Sequence, residues 1–204
     1  MNHRIVAIGL CVLTIGASRA GADQTLVFFR HGEKPLSGNG QITCQGLNRA
    51  NALATVLPAR FGRPTYLYAP NPGMMNPDPA GYFNYVRPLA TIEPLAVKLG
   101  SMSVNTKYGY TEIGRLQAAI ANRSRDNTLT FIAWEHLYLV DVVQNIMNAY
   151  GGGQQVPAWP EDDYDSIYVV RLHYVTDSSG TTTVTATFTH EYEGLNGQPT
   201  SCPF

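Results

Sequence analysis

Apolar residues fall along this chain in two patterns, and the alternation between them predicts the architecture. Thr25-Leu-Val-Phe-Phe29 is a short unbroken apolar run, the mark of a strand buried on both faces, and it ends at Arg30, where Gly and Pro punctuation begins and lasts to Gly40. Thr43 then offers an N-cap, and Leu47, Ala50, Ala54 and Leu57 recur at three- and four-residue spacing until Pro58 and Gly62, which predicts a helix. Thr65-Tyr-Leu-Tyr-Ala69 reads as a second strand. Helical spacing returns at Leu89, Ile92, Ala96 and Leu99 up to Gly100, and more weakly at Ile113, Leu116, Ala119 and Ile120. Thr128 to Trp134 is a third apolar strand, and Leu137, Val140, Val143, Ile146 and Met147 form an amphipathic helix stopped by Gly151-Gly152-Gly153.

Between the second strand and the next helix, residues Pro70 to Asn84 are crowded with Pro, Gly, Asn and Met and show no period, so they read as one long loop. Loops of that length inside a compact domain are often lids or binding loops; an idle surface excursion is the plainer alternative. The last third changes period. Tyr168, Val170, Leu172 and Tyr174 alternate with Val169, Arg171 and His173, and after Asp177-Ser-Ser-Gly180 the residues Val184, Ala186 and Phe188 alternate with threonines, which predicts an antiparallel hairpin. Strands separated by helices and closed by a hairpin give an α/β fold: a three-layer α/β/α sandwich with a mostly parallel central sheet and an antiparallel C-terminal hairpin.

The N-terminus changes how the rest is counted. Asn2-His3-Arg4 followed by the apolar run Ile5 to Ala17 has the layout of an export signal, too short for a membrane span, with small-residue cleavage sites after Ala20 or, better matched, after Ala22. Lipid attachment at Cys11 fits less well, because Leu10 precedes it and the apolar run continues beyond. The expected organisation is a signal over 1–22 and a single domain over 23–204, placed in the periplasm or secreted. Loss of Arg4 and Arg19 leaves 12 Lys+Arg against 15 Asp+Glu, a formal charge of −3, with no basic field to recruit nucleic acid. Export also leaves Cys44 and Cys202 as an even pair in an oxidising compartment, so a Cys44–Cys202 disulfide is expected, tying the C-terminal tail to the start of the first long helix.

In sheets of this kind ligands sit beyond the carboxyl ends of the strands. Polar residues that interrupt the apolar pattern there are Arg30, His31 and Gly32 after strand one, Glu135 and His136 after strand three, and Arg87 ahead of the helix that follows the long loop. Two arginines and two histidines at one sheet end make a cationic pocket suited to phosphate, because the guanidinium fork matches phosphate oxygens and fixed donors stabilise a transferring phosphoryl group. A neutral imidazole can attack phosphorus directly and form a phosphohistidine that water then hydrolyses, so this chemistry calls for no metal and no cofactor.

With Leu26-Val-Phe-Phe-Arg-His-Gly-Glu33, then Ile42-Thr43 with Gly46 and Ala50, then Arg87 with Thr91 four residues on, and the apolar strand leading to His136, the chain resembles the histidine phosphatase superfamily, the phosphoglycerate-mutase-like fold, over nearly all of its mature length. Trp134-Glu135-His136 and the later Trp159-Pro160 with Asp163-Tyr-Asp165 are similar to exported bacterial members. The resemblance implies that His31 is the nucleophile and that Arg30, Arg87 and His136 bind the phosphoryl group. It leaves the proton donor open. Leu137 stands where many members carry Asp, so Glu135 is the first choice, with Glu112 and Asp78 as fallbacks.

Other polar residues carry less. His173 and His190 read as ordinary hairpin residues, Lys34 as a solvated loop lysine, and Glu161-Asp162-Asp163 with Asp165 as a solvated turn that lacks the ligand spacing of a calcium loop. Asn122-Arg123-Ser124 is a glycosylation sequon only in a eukaryotic host. The function these readings imply is an exported phosphomonoester hydrolase acting on a small phosphorylated substrate, with sugar phosphates an analogy from the family; a non-catalytic phospholigand-binding protein on the same fold is the alternative.

Overall fold

The computed structural model describes residues 22–125 and 127–204. The expected signal segment lies outside the described residues apart from Ala22, the first residue of strand β1 (Ala22–Arg30). The chain continues through α1 (Cys44–Phe61), β2 (Tyr66–Tyr68), β3 (Met75–Asp78), β4 (Gly81–Asn84), α2 (Arg87–Lys98), β5 (Val104–Asn105), α3 (Ile113–Ile120), β6 (Thr128–Trp134), α4 (His136–Tyr150), β7 (Ser166–Thr176) and β8 (Thr182–Tyr192). The main sheet has the order β5-β2-β6-β1-β7-β8. β1 runs parallel to β6 and β2 parallel to both β6 and β5, while β7 is antiparallel to β1 and to β8. This is the expected mostly parallel sheet with an antiparallel C-terminal hairpin.

Both faces of the sheet are covered. Val27, Phe29, Phe131 and Ala133 pack with Leu53 and Leu57 of α1 and Ile92 and Leu95 of α2. Their strand neighbours Leu26, Phe28, Ile132 and Trp134 pack on the opposite face with Leu116 of α3 and Leu139 and Val143 of α4. Period-two alternation thus sends successive residues into two different apolar layers, which is why these strands read as unbroken apolar runs. β7 shows the transition: Ser166 through Val170 are buried without interruption, and alternation begins at Arg171, where one face is left to solvent.

Three elements depart from the periodic reading. Pro70 to Asn84 is not a structureless loop, because β3 and β4 pair antiparallel within it, Met75 opposite Asn84 and Asp78 opposite Gly81. Its two-residue turn is Pro79-Ala80, and Pro within the strand at Pro77 is tolerated because each strand of this two-stranded ribbon is an edge strand. β5 is a two-residue edge strand, too short to leave a pattern. α1 runs through Pro58 to Phe61, the amide of its C-cap Gly62 closes the last helical bond to Pro58 O at 3.0 Å, and the positive φ of Gly62 turns the chain out of the helix.

The buried Arg49 of α1 faces three acidic side chains, Glu33 at 2.9 Å, Glu193 at 2.5 Å and Asp165 at 3.4 Å, and ties the segment after β1 to the chain beyond β8. Cys44 and Cys202 form the expected disulfide, with Cα atoms 4.5 Å apart, and Asn48 adds hydrogen bonds to Pro199 O and Ser201 O. Among the described residues no helix is long and apolar enough to cross a membrane.

Candidate active site

β1 and β6 are adjacent and parallel, so their carboxyl ends open at one place. There a cleft of about 410 Å³ is lined by Arg30, His31, Arg87, Glu135 and His136, together with Lys34, Asp78, Tyr85, Tyr110, Tyr138 and Trp159. The two arginines and two histidines singled out in the sequence therefore meet. Their burial is nearly complete: Arg30 is 0% exposed, His31 2% and Arg87 3%.

The backbone around His31 is pinned from two sides. Its amide reaches Trp134 O at 3.4 Å, and the Gly32 amide donates to Thr91 Oγ1 at 2.9 Å, while Thr91 itself donates to Arg87 O at 2.8 Å. One threonine thus couples the turn after β1 to the first turn of α2. Gly32 is required by close approach: a Cβ there would stand 2.7 Å from Gly46 O and 2.8 Å from Gly46 Cα.

The His31 ring has a defined tautomer. Its Nδ1 lies 2.8 Å from Gly32 O, and a carbonyl can only accept, so Nδ1 carries the proton and Nε2 keeps its lone pair. Burial, reinforced by the charges of Arg30, Arg87 and His136, pushes the imidazole well below the ordinary histidine range, although the bond to Gly32 pulls the other way. It is a neutral base at physiological pH.

Arg30 is anchored by one nitrogen only. Nη1 donates to Glu161 O at 2.5 Å and Asp163 O at 2.9 Å, and the guanidinium lies over the Tyr164 ring at 4.0 Å. Nε and Nη2, which form the side-on edge of the fork, are buried with no hydrogen-bond partner among the described residues. Burial draws the Arg30 pKa down, partly offset by Tyr164, Tyr85 and Glu135, and a guanidinium remains charged in any such site. Arg87 is held end-on by Asp78, with Nη1 to Oδ2 at 2.6 Å and Nη2 to Oδ1 at 3.2 Å, and its Nε is likewise buried and without a partner. The site therefore presents three buried guanidinium nitrogens without partners beside a neutral imidazole. Leaving such donors unsatisfied is costly, and an anion would satisfy them.

The three carboxylates considered as proton donors are placed very differently. Glu135 reaches the cleft, but not as a strand residue: β6 ends at Trp134 and Glu135 is the N-cap of α4. Its Oε2 accepts from Leu137 N at 2.8 Å and Tyr138 N at 3.0 Å, and Oε1 lies 2.7 Å from His136 Nδ1, off the line of a ring hydrogen bond. Burial would raise its pKa, yet the His136 contact and the two helix amides outweigh this and hold the carboxyl below the ordinary glutamate value. Asp78 also lines the cleft; burial opposes its ionisation, but Arg87 and the Gly40 amide, which donates to Oδ2 at 3.0 Å, lower its pKa. Glu112 is not among the lining residues, and its carboxylate is taken by Gly109 N at 2.8 Å and Arg115 Nη1 at 2.6 Å.

Several contributors carry no sequence signal of their own. Tyr85 (0% exposed), Tyr110 and Tyr138 wall the cleft as an edge-to-face series with centroids 5.0 and 5.5 Å apart. Lys34 reaches the rim and pairs with Glu161 at 3.8 Å. Asp163, read as part of a solvated turn, is structural: its carboxylate accepts from Asp165 N, Ser166 N and Ser166 Oγ, and its carbonyl anchors Arg30. Among the described residues, no three His, Cys, Asp or Glu side chains are gathered as a metal site.

No protein-family model matches the chain, nor does any curated protein. Among solved structures, the chain is similar to SixA of Nakamurella multipartitia, named as a candidate phosphohistidine phosphatase, at a TM-score of 0.51 and 11% identity, covering 83% of this chain and 95% of that one. A second structure, the similarly named SixA of Agrobacterium tumefaciens, gives a TM-score of 0.46 at 11% identity, covering 72% and 90%. The first likeness is one of fold: it agrees with the α/β sandwich that the strand and helix order implied.

Proposed function

We propose that this protein is a phosphomonoester hydrolase in which His31 Nε2 takes the phosphoryl group as a phosphohistidine. The observation that carries the reading is the convergence of three buried, unpartnered guanidinium nitrogens, from Arg30 and Arg87, on the cleft that holds the neutral His31 ring. Arg30 offers its side-on pair to two phosphoryl oxygens, Arg87 Nε contributes further positive potential as charge builds in the transition state, and the His136 ring lines the same cleft. His136 is the first residue of α4, and the amides of that turn are already taken by Glu135, so the ring rather than the helix end faces the site. The fold likeness to a protein named for phosphohistidine hydrolysis agrees with this class of chemistry.

The reading extends to export in the periplasmic or secreted space, on the strength of the N-terminal segment, and to metal-independent turnover of small phosphate esters, sugar phosphates among them. A metal-free assay of the mature protein with chelator, over a panel of sugar, alkyl and aryl phosphates and phosphohistidine, tests it. Turnover that is lost in His31→Ala is the expected result, and turnover unchanged by that substitution overturns the mechanism. A second reading, phospholigand binding without turnover, draws on the engagement of Glu135 and Asp78 in ion pairs and helix capping. Tight phosphate binding with no hydrolysis across the panel would establish it.

A further inference from the structure

The Tyr85 hydroxyl stands out among the polar groups of the cleft. Its ring is fully buried, edge-on to His31 with centroids 6.1 Å apart at 90°, and the Arg87 guanidinium lies over it at 4.9 Å from the centroid. Its oxygen is buried and makes no hydrogen bond of good geometry among the described residues, although the Arg87 guanidinium stands close enough to favour its ionised form. A phenol that costs free energy to bury and is left unsatisfied beside a nucleophile is a group held ready for a ligand atom.

The carboxylates are not in that condition. Both oxygens of Asp78 are on Arg87, both oxygens of Glu135 are on the helix amides or beside His136, and Glu161 is a rim residue with its side chain 83% exposed and paired with Lys34. Tyr85, by contrast, keeps its proton: burial raises its pKa well above the ordinary tyrosine value, and the Glu135 charge adds to this against the pull of Arg87 and Arg30.

We propose that Tyr85 is the proton donor to the leaving oxygen, an assignment that rests on the hydrolase reading above. His31 Nε2 forms the N–P bond as the ester P–O bond breaks. The electron pair goes to the leaving oxygen, and the Tyr85 proton follows it, giving the alcohol and a phenolate beside Arg87. In the second half, water adds to phosphorus, its proton passes to the phenolate, and the P–N pair returns to Nε2, so that inorganic phosphate leaves and both side chains are restored. A phenol is matched to this task, because an alkoxide is far more basic than a phenolate and takes the proton downhill. An aryl leaving group that departs as a stable anion has no such need.

Tyr85→Phe removes one oxygen without changing the ring. Turnover of a primary alkyl phosphate is expected to fall by about 10²–10³-fold, within the range typical of general acid catalysis, while p-nitrophenyl phosphate changes by less than about threefold. The variant should melt at the same temperature as the parent or higher, since a buried hydroxyl without a partner is removed. An equal loss on both esters, or no loss on either, overturns the assignment while leaving His31 in place. Trapping of the phosphoenzyme by an alkaline detergent quench, under which a P–N bond survives, separates the two levels: its absence from the parent protein overturns the hydrolase reading and the Tyr85 assignment with it, whereas its presence together with a leaving-group-independent loss overturns Tyr85 alone.

Discussion

Arg87 and Asp78 form a buried end-on ion pair, Nη1 to Oδ2 at 2.6 Å and Nη2 to Oδ1 at 3.2 Å, across 9 residues of sequence and two different elements. The β3–β4 hairpin thereby holds the arginine that opens α2, and the carboxylate occupies both terminal nitrogens of the guanidinium that a phosphate would also seek. Asp78→Asn keeps the shape and removes the charge. Competitive inhibition by inorganic phosphate is expected to tighten by about tenfold, roughly 1.4 kcal/mol, as read from its inhibition constant.

Glu135→Ala removes the N-cap of α4 and the anion beside His136. It should cost about 1–2 kcal/mol of stability, the usual value of a cap, measured by urea unfolding. Because Glu135 positions His136 rather than delivering a proton, turnover of alkyl and nitrophenyl esters should fall by the same factor.

Gly32→Ala places a methyl against the backbone of Gly46, at 2.7 Å from its oxygen, where no flexible side chain can yield. Separating the turn after β1 from α1 shifts the His31 ring and loosens the Gly32–Thr91 bond. Overpacking of this kind costs about 1–3 kcal/mol. The variant should lose most activity while still folding, as judged by circular dichroism beside the ester assay.

Glu193 supplies the pH dependence of stability. Burial pushes its carboxyl up to about 8, with Asp165 and Glu33 adding to the shift and Arg49 opposing it. The folded protein therefore keeps a proton that the unfolded chain releases near ~4.3, the ordinary glutamate value. This contribution is complete below that value and is lost as pH rises through about 8. Glu193→Gln keeps the neutral form in both states, so its stability advantage over the parent should grow as pH is raised from about 5 to about 8, as followed by denaturant unfolding.

The Cys44–Cys202 bridge spans 158 residues, and chain-entropy models assign a loop of that size about 4–5 kcal/mol. Thiol titration of the denatured, unreduced mature protein should find both cysteines blocked. Reduction should lower the melting temperature by on the order of 10 °C.

Along the chain, local pattern was enough for whatever depends on neighbours in sequence. Continuous apolar runs at Leu26–Phe29 and Phe131–Trp134 announced a sheet covered on both faces, because two-sided burial erases alternation. Helical spacing located α1, α2, α3 and α4, and the strand-to-turn transition at Arg30-His31-Gly32 marked the site. The tertiary structure alone decided what depends on approach between distant segments. The β3–β4 ribbon is held as much by Arg87 and Gly40 as by its own pairing, so residues 70–84 carried no period of their own. Glu135 changed from a strand-end residue to a helix cap because α4 starts one residue earlier than its apolar spacing, and capping is written in backbone geometry rather than in hydrophobicity. Tyr85 was one aromatic residue among many until the fold buried its hydroxyl beside His31 without a partner. Burial and the absence of a partner are properties of the whole packing, and no linear pattern encodes them.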